Sequence, residues 1–287
     1  MPDGNHRGIT GGMPMCIHET NDNTLEQIQK CCLGIVADVD RVCRKNGIEY
    51  SLCGGSVIGA HLYQGFIPWD DDIDLMMTRE NYDRFLEIYP REAAEYYHLH
   101  HYSTDGADNL PALFLRVEDL RTHMHEQIAR GERSGHVFID ITVMDQVPTP
   151  LYYRIARLYA GYTYTFLYRK NGMTPGTGWK KAAFSAAGLV ARKGELTKRY
   201  ERLENFLRRR SRGRKTRYCA ELLSAAYSGI LYEQRIFLYY RDTSFAGLKL
   251  RIVRDYMDYL YMRYGRREFT RDVPSCERQQ QHIQRME

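Results

Sequence analysis

Residues Gly65 to Met77 read GFIPWDDDIDLMM, with Asp70, Asp71, Asp72 and Asp74 set among Phe66, Ile67, Ile73, Leu75, Met76 and Met77. Apolar flanks of this kind pull a segment toward a core, where carboxylates are costly unless something neutralises them. Read as a strand, the stretch puts Asp70, Asp72 and Asp74 on one face and Ile73 and Leu75 on the other. Alternation sets Asp71 apart, and we expect it to cap or orient the loop after Pro68-Trp69. Like charges this close raise one another's pKa, and a divalent cation relieves the repulsion. An all-oxygen donor set suits Mg²⁺, with Mn²⁺ as the alternative, better than Zn²⁺. A solvated acidic turn after Pro68 is the competing reading, and the hydrophobic flanks weigh against it.

Two features outside the stretch extend the metal reading. Upstream, Ile48 to Cys53 alternates like a strand and runs into Gly54-Gly55-Ser56, which opens an expected helix from Ser56 to His61. Free backbone N–H groups at such a start, together with the Ser56 hydroxyl, can cradle a phosphate. Downstream, Asp140 sits in the apolar strand pattern of Val137 to Val143, where an unpaired charge would be expensive.

The rest of the chain frames this core. Its 287 residues, 43% apolar, are enough for one large domain or two modest ones. No apolar run approaches the roughly 18 residues of a membrane span, and the N-terminus lacks a secretory core, so a cytoplasmic protein is expected. The seven cysteines lack paired spacing and are expected to be reduced. Residues 1–20 form an expected loose leader and 21–150 an α+β catalytic core. Residues 151–287 form a helical, basic and Tyr-rich region packed on that core. Expected helices begin near Thr24, over Arg79 to Tyr89 with a stop at Pro90, and over Leu151 to Lys170. Others are expected over Lys180 to Arg210, Thr216 to Tyr227 and Val253 to Tyr264, and another strand over Leu113 to Val117. From Arg192 to Arg217, twelve Lys or Arg stand against three Glu, a local charge of +9. Such a run is most often a solvated face, and binding of a polyanion is the alternative.

Together, GGS, an Asp-x-Asp pair and a later strand Asp resemble the nucleotidyltransferase fold. The run GGSVIGAHLYQGFIPWDDDIDLMM, then FIDITVMDQVP and FAGLKLRIVRDYMDYLYMRYG, resembles the LicD family of phosphotransferases, related to fukutin. The resemblance implies an α+β, nucleotidyltransferase-fold mixed sheet with a helical C-terminal half. It implies an enzyme that transfers a phospho-alcohol, typically phosphocholine, from a CDP-activated donor such as CDP-choline. The acceptor would be a hydroxyl of a cell-surface glycan (lipopolysaccharide, teichoic acid or capsule) or of its lipid-linked precursor, and CMP would be released. Residue by residue, Asp72 and Asp74 match the family's metal pair and Asp140 its third carboxylate, as ligand or as base. Gly54, Gly55 and Ser56 match the phosphate loop, Asp70 shares the carboxylate face as a further ligand, and Arg116 falls where a basic residue clamps the diphosphate. A late His282 also falls at a family position.

Two other functions compete with this expectation. One keeps the fold but uses an NTP and releases pyrophosphate; the other is a non-catalytic polyanion-binding protein. Nucleic acid is not the expected partner. The mixed aromatic and Arg helix from Leu151 to Lys170 is consistent with peripheral contact at the inner face of a membrane, although plain packing on the domain is the commoner use. His98, His100 and His101, with His123 and His125, lack the spacing of a structural zinc module and are expected to be solvated.

Overall fold

The computed structural model describes residues 22–106, 113–128, 131–170, 195–211, 216–224, 229–271 and 284–286. The leader, residues 180–194 of an expected helix, residues 225–227 and His282 lie outside them.

Helix α1 (Asp22–Lys45) covers the expected start near Thr24, and its stripe of Ile28, Cys32, Ile35, Val36, Val39 and Val42, spaced by three and four or adjacent, is fully buried. It feeds a two-residue strand β1 (Ser51–Leu52), helix α2 (Gly54–Tyr63) and strand β2 (Asp74–Thr78). Helix α3 (Arg79–Glu92) runs past Pro90 rather than stopping at it. Proline one turn from the end forfeits a single backbone bond, and Tyr89 is anchored by stacking on Phe85 at 4.6 Å and by donating to Asp38 Oδ2 at 3.1 Å. Strand β3 (Tyr97–His100) and the one-turn helix α4 (Tyr102–Asp105) follow, then the long strands β4 (Leu115–Ile128) and β5 (Gly131–Val147).

These strands form a mixed sheet ordered β1-β2-β5-β4, with β3 also paired to β4. Strands β2 and β5 are parallel, Asp74 opposite Asp140, and the remaining pairs are antiparallel. Helices lie beside a mixed sheet, so the class is α+β, as expected.

Beyond Pro150 come helix α5 (Pro150–Lys170) and helix α6 (Glu195–Ser211). Residues 216–224, expected to be helical, instead give strand β6 (Tyr218–Ala220), which extends the sheet by pairing with β5; strand β7 (Tyr232–Glu233) pairs with it. A 3₁₀ turn (Gln234–Phe237) leads to the hairpin of β8 (Tyr240–Phe245) and β9 (Leu248–Val253). Its two-residue turn has Ala246 and Gly247 at φ 47° and 86°, the handedness that matches strand twist. Ala246 N–H donates to Gln64 O at 2.6 Å, which ties the hairpin to the end of α2. Helix α7 (Tyr256–Tyr264) and strand β10 (Gln284–Met286), paired with β4, complete the described elements.

Part of the basic run is neutralised internally. Arg208 on α6 meets Asp83 at 3.0 Å and Glu204 at 3.4 Å, and Glu204 accepts from Arg79, which also forks onto Asp145. Cys31, Cys32, Cys43, Cys53 and Cys219 are free thiols.

Candidate active site

The ladder of β2 begins at Asp74, not at Asp70. Residues Asp70 to Ile73 approach it as irregular chain, held by Asp70 N–H donating to Ile67 O at 2.9 Å and Asp140 N–H donating to Ile73 O at 3.3 Å. Strand alternation therefore does not separate Asp71 from its neighbours. Carboxylate oxygens of Asp70, Asp71 and Asp72 all lie within 4.8 Å of one another, and the three residues are buried. Helix α1 supports this loop from behind, Gln29 Nε2 donating to Asp70 O at 2.8 Å and Cys32 Sγ to Asp71 O at 3.8 Å. Burial first, then the charges of Asp72, Asp71 and Asp74, push the Asp70 carboxyl up to about 9.

Gly54-Gly55-Ser56 forms the first turn of α2 and is stitched to Asp74. Cys53 N–H donates to Asp74 O at 2.8 Å, and Asp74 N–H donates to Ser56 Oγ at 3.0 Å. Gly54 adopts φ 52°, a conformation that favours glycine, and its N–H donates to Tyr259 Oη at 3.0 Å. A Cβ at Gly54 would lie 3.5 Å from Asp74 Oδ2, and one at Gly55 would lie 3.0 Å from Asp70 Oδ2. The two glycines thus set the helix start directly against the carboxylates.

Asp140 reaches the same neighbourhood by register. His100, Arg116, Asp140 and Asp74 are successive partners across β3, β4, β5 and β2, so they form one row on one face of the sheet. Arg116 forks onto Asp140, with Nε to Oδ1 at 2.8 Å and Nη2 to Oδ2 at 3.0 Å, and its guanidinium lies 3.3 Å from the centre of the Phe138 ring. Arg116, expected from sequence to clamp the diphosphate, is buried with this fork facing Asp140.

Other neighbours were not singled out by the sequence reading. Arg263 of α7 lies beside Gly54, its Nη2 3.4 Å from where a Cβ would stand. Its Nη1 donates to the buried Glu221 Oε1 at 2.6 Å and to Tyr232 Oη at 3.3 Å, and Tyr232 stacks on Tyr259 at 5.4 Å. Tyr259 and Arg263 are four apart on one helix face, within the stretch FAGLKLRIVRDYMDYLYMRYG that carries part of the resemblance. A cleft of about 860 Å³ lined by Thr78, Asn81, Arg84, Gln146 and Tyr240 lies at the other end of β2 and includes none of the expected site residues.

The site thus combines a strand, the GGS turn and a helix with carboxylates on two adjacent parallel strands. The LicD/FKTN/FKRP nucleotidyltransferase domain model matches residues 47–149. The lipopolysaccharide cholinephosphotransferase LicD of Haemophilus influenzae is 38% identical over 129 residues, 44% of this chain and 46% of that protein. An uncharacterized protein of Rickettsia prowazekii is 25% identical over 119 residues, 42% of this chain and 41% of its own length. The chain therefore spans less than half the length of these relatives. A GTP pyrophosphokinase family protein from Streptococcus pneumoniae superposes with a TM-score of 0.20 at 10% identity, covering 63% of this chain and 88% of that one, too slight a likeness to bear on the fold.

Proposed function

We propose that the chain is a LicD-type phosphotransferase. It moves a phospho-alcohol, phosphocholine or a similar group, from a CDP-activated donor to a hydroxyl of a cell-surface glycan or its lipid-linked precursor. The observation that carries this reading is the clustering of Asp70, Asp71 and Asp72, with Asp70 and Asp74 set against the Gly54-Gly55 helix start and Asp140 opposite Asp74 on the adjacent strand. The cholinephosphotransferase of Haemophilus supports the reaction class through the matched segment.

The residues fit a divalent cation. The donor set is carboxylate oxygen alone, and a cation would offset the burial and like-charge repulsion that raise the Asp70 carboxyl. Asp70, Asp72 and Asp74, with Asp140 beside them, would hold Mg²⁺ or Mn²⁺, and Asp71 joins them by position. Such an ion supplies charge neutralisation on the diphosphate and the leaving oxygen. In the reaction, the acceptor oxygen bonds to the distal phosphorus, the bond from that phosphorus to the bridging oxygen breaks, and CMP leaves with that oxygen. The hydroxyl proton passes to a carboxylate of the cluster, with Asp140, held in place by Arg116, as the proposed recipient. Positioning supplies most of the acceleration in this chemistry.

A peripheral membrane contact fits the lipid-linked acceptor. Leu151, Ile155, Leu158 and Tyr162, spaced by four, three and four, are exposed along α5 beside exposed Arg154 and Arg157. An apolar stripe flanked by cations matches an anionic lipid surface. Among the described residues no helix is long and apolar enough to cross a membrane.

Product analysis tests the function. Incubation with CDP-choline, Mg²⁺ and a glycan acceptor is expected to release CMP. Pyrophosphate from an NTP instead would establish the nucleotidyltransferase alternative.

A further inference from the structure

We propose a second metal site, separate from the acidic cluster, in which His98, His100 and Asp105 bind a transition-metal ion of the Zn²⁺ class, with Glu118 behind it. His98 and His100 alternate on β3 and so project from the same face. The chain then turns sharply. His101 caps the short helix α4, its ring accepting from Ser103 N–H while its own N–H donates to Thr104 Oγ1, and this turn brings Asp105 back over the strand. His98 Nε2 lies 2.9 Å from Asp105 Oδ1, and His100 Nδ1 lies 3.4 Å from Asp105 Oδ2. One donor atom from each residue falls within 4.8 Å of the others, and the two rings stand edge to face at 4.5 Å. Two imidazoles and a carboxylate form the donor set of a zinc centre whose fourth position is open, and His98, the most exposed of the three, leaves that side accessible.

The surroundings have the form expected around a metal ligand. His100 Nε2, the nitrogen turned away from Asp105, lies 2.9 Å from Oε2 of the buried Glu118, as when a carboxylate fixes a ligating imidazole. Asp105 Oδ2 is itself held by Thr104 Oγ1 at 2.7 Å and by His101 N–H at 3.3 Å. Both ring nitrogens of His100 are shielded from water, with Nε2 facing Glu118 and Nδ1 facing Asp105. An ion between the imidazoles and Asp105 satisfies the Nδ1 lone pair and removes the apposition of two acceptors. His100 stands in the same cross-sheet row as Asp140, with Arg116 between them, roughly two strand spacings or 10 Å away. A metal here would therefore pin α4 and β3 to the flank of the carboxylate site without entering it.

Zinc retention by the full chain tests this. Protein stripped with chelator, loaded with Zn²⁺ in excess Mg²⁺ and passed through gel filtration should retain one Zn²⁺ per chain by elemental analysis. His98→Ala and His100→Ala should each lose it, while Asp72→Asn, which alters the acidic cluster, should keep it. Glu118→Gln should weaken retention about tenfold to a hundredfold. Thermal unfolding of each variant shows that the fold survives, and the exposed His98 provides the variant least able to disturb it. Failure of the wild type to retain zinc, or retention unchanged in His98→Ala and His100→Ala, overturns the site and leaves a histidine–carboxylate ion pair. Because the readout is bound zinc, it stands apart from whether the chain transfers phosphocholine.

Discussion

Arg116 and Asp140 face each other in register on adjacent antiparallel strands and join through two parallel N–H···O contacts of 2.8 and 3.0 Å. Both are buried. Removing either partner leaves a buried charge without its match, at a cost of about 3–5 kcal/mol. Arg116→Ala is expected to lower stability by that order. Arg116→Lys keeps the charge but loses the fork, and should fold while turning over about a hundredfold more slowly. Denaturant unfolding beside CMP-release rates checks both; wild-type turnover in the Lys variant would remove Arg116 from the site.

Asp72→Asn and Asp74→Asn are expected to abolish turnover with the fold intact. Each removes a proposed ligand from a cluster that the like charges already strain. Chelator should silence the wild type, and Mg²⁺ or Mn²⁺ should restore it. Activity in either Asn variant would remove that residue from the proposed site.

The glycines of α2 should separate function from folding. A Cβ at Gly59 would sit 2.4 Å from the Gly65 carbonyl oxygen, a backbone atom that cannot swing aside. Gly59→Ala should therefore cost about 1–3 kcal/mol or more. A Cβ at Gly55 would meet the end of the Asp70 side chain at 3.0 Å. That carboxylate can move, so Gly55→Ala should retain most of its stability and lose activity. Paired melting and kinetic measurements distinguish the two.

Stability should fall in acid through Glu204. Burial acts to raise its pKa, but the hydrogen bond from His101 and the charges of Arg79, His101 and Arg208 hold it well below the usual carboxylate range. A depressed folded-state pKa gives stability that is complete above the unfolded value of about 4.3 and is lost as the pH falls below it. Glu204→Gln should be less stable at pH 7 and show a flatter decline from pH 5 to 2, measured by denaturant midpoint at each pH.

Leu158→Glu on α5 should cut co-sedimentation with anionic vesicles at least about tenfold, because it replaces roughly 1.5–3 kcal/mol of apolar contact with a repelled charge. Unchanged sedimentation would detach α5 from any lipid contact.

Much was legible along the chain because it depends on local pattern. The α1 stripe, the glycine start of α2, the apolar strand around Asp140 and the helix from Pro150 follow from periodicity and turn chemistry, which act over a few residues. GFIPWDDDIDLMM marked the candidate site because carboxylates among apolar residues need a compensating partner. Tertiary contact decided the rest. Asp71 joins Asp70 and Asp72 because the chain ahead of β2 is pinned by α1 and Ile67, so strand alternation does not apply there. Arg116 is committed to Asp140 by the β4–β5 register. Arg263 reaches Gly54, and Asp105 reaches His98, through the packing of α7 and the turn of α4. These pairings are set by which faces bury together, and a sequence pattern of a few residues carries no record of partners joined only by folding.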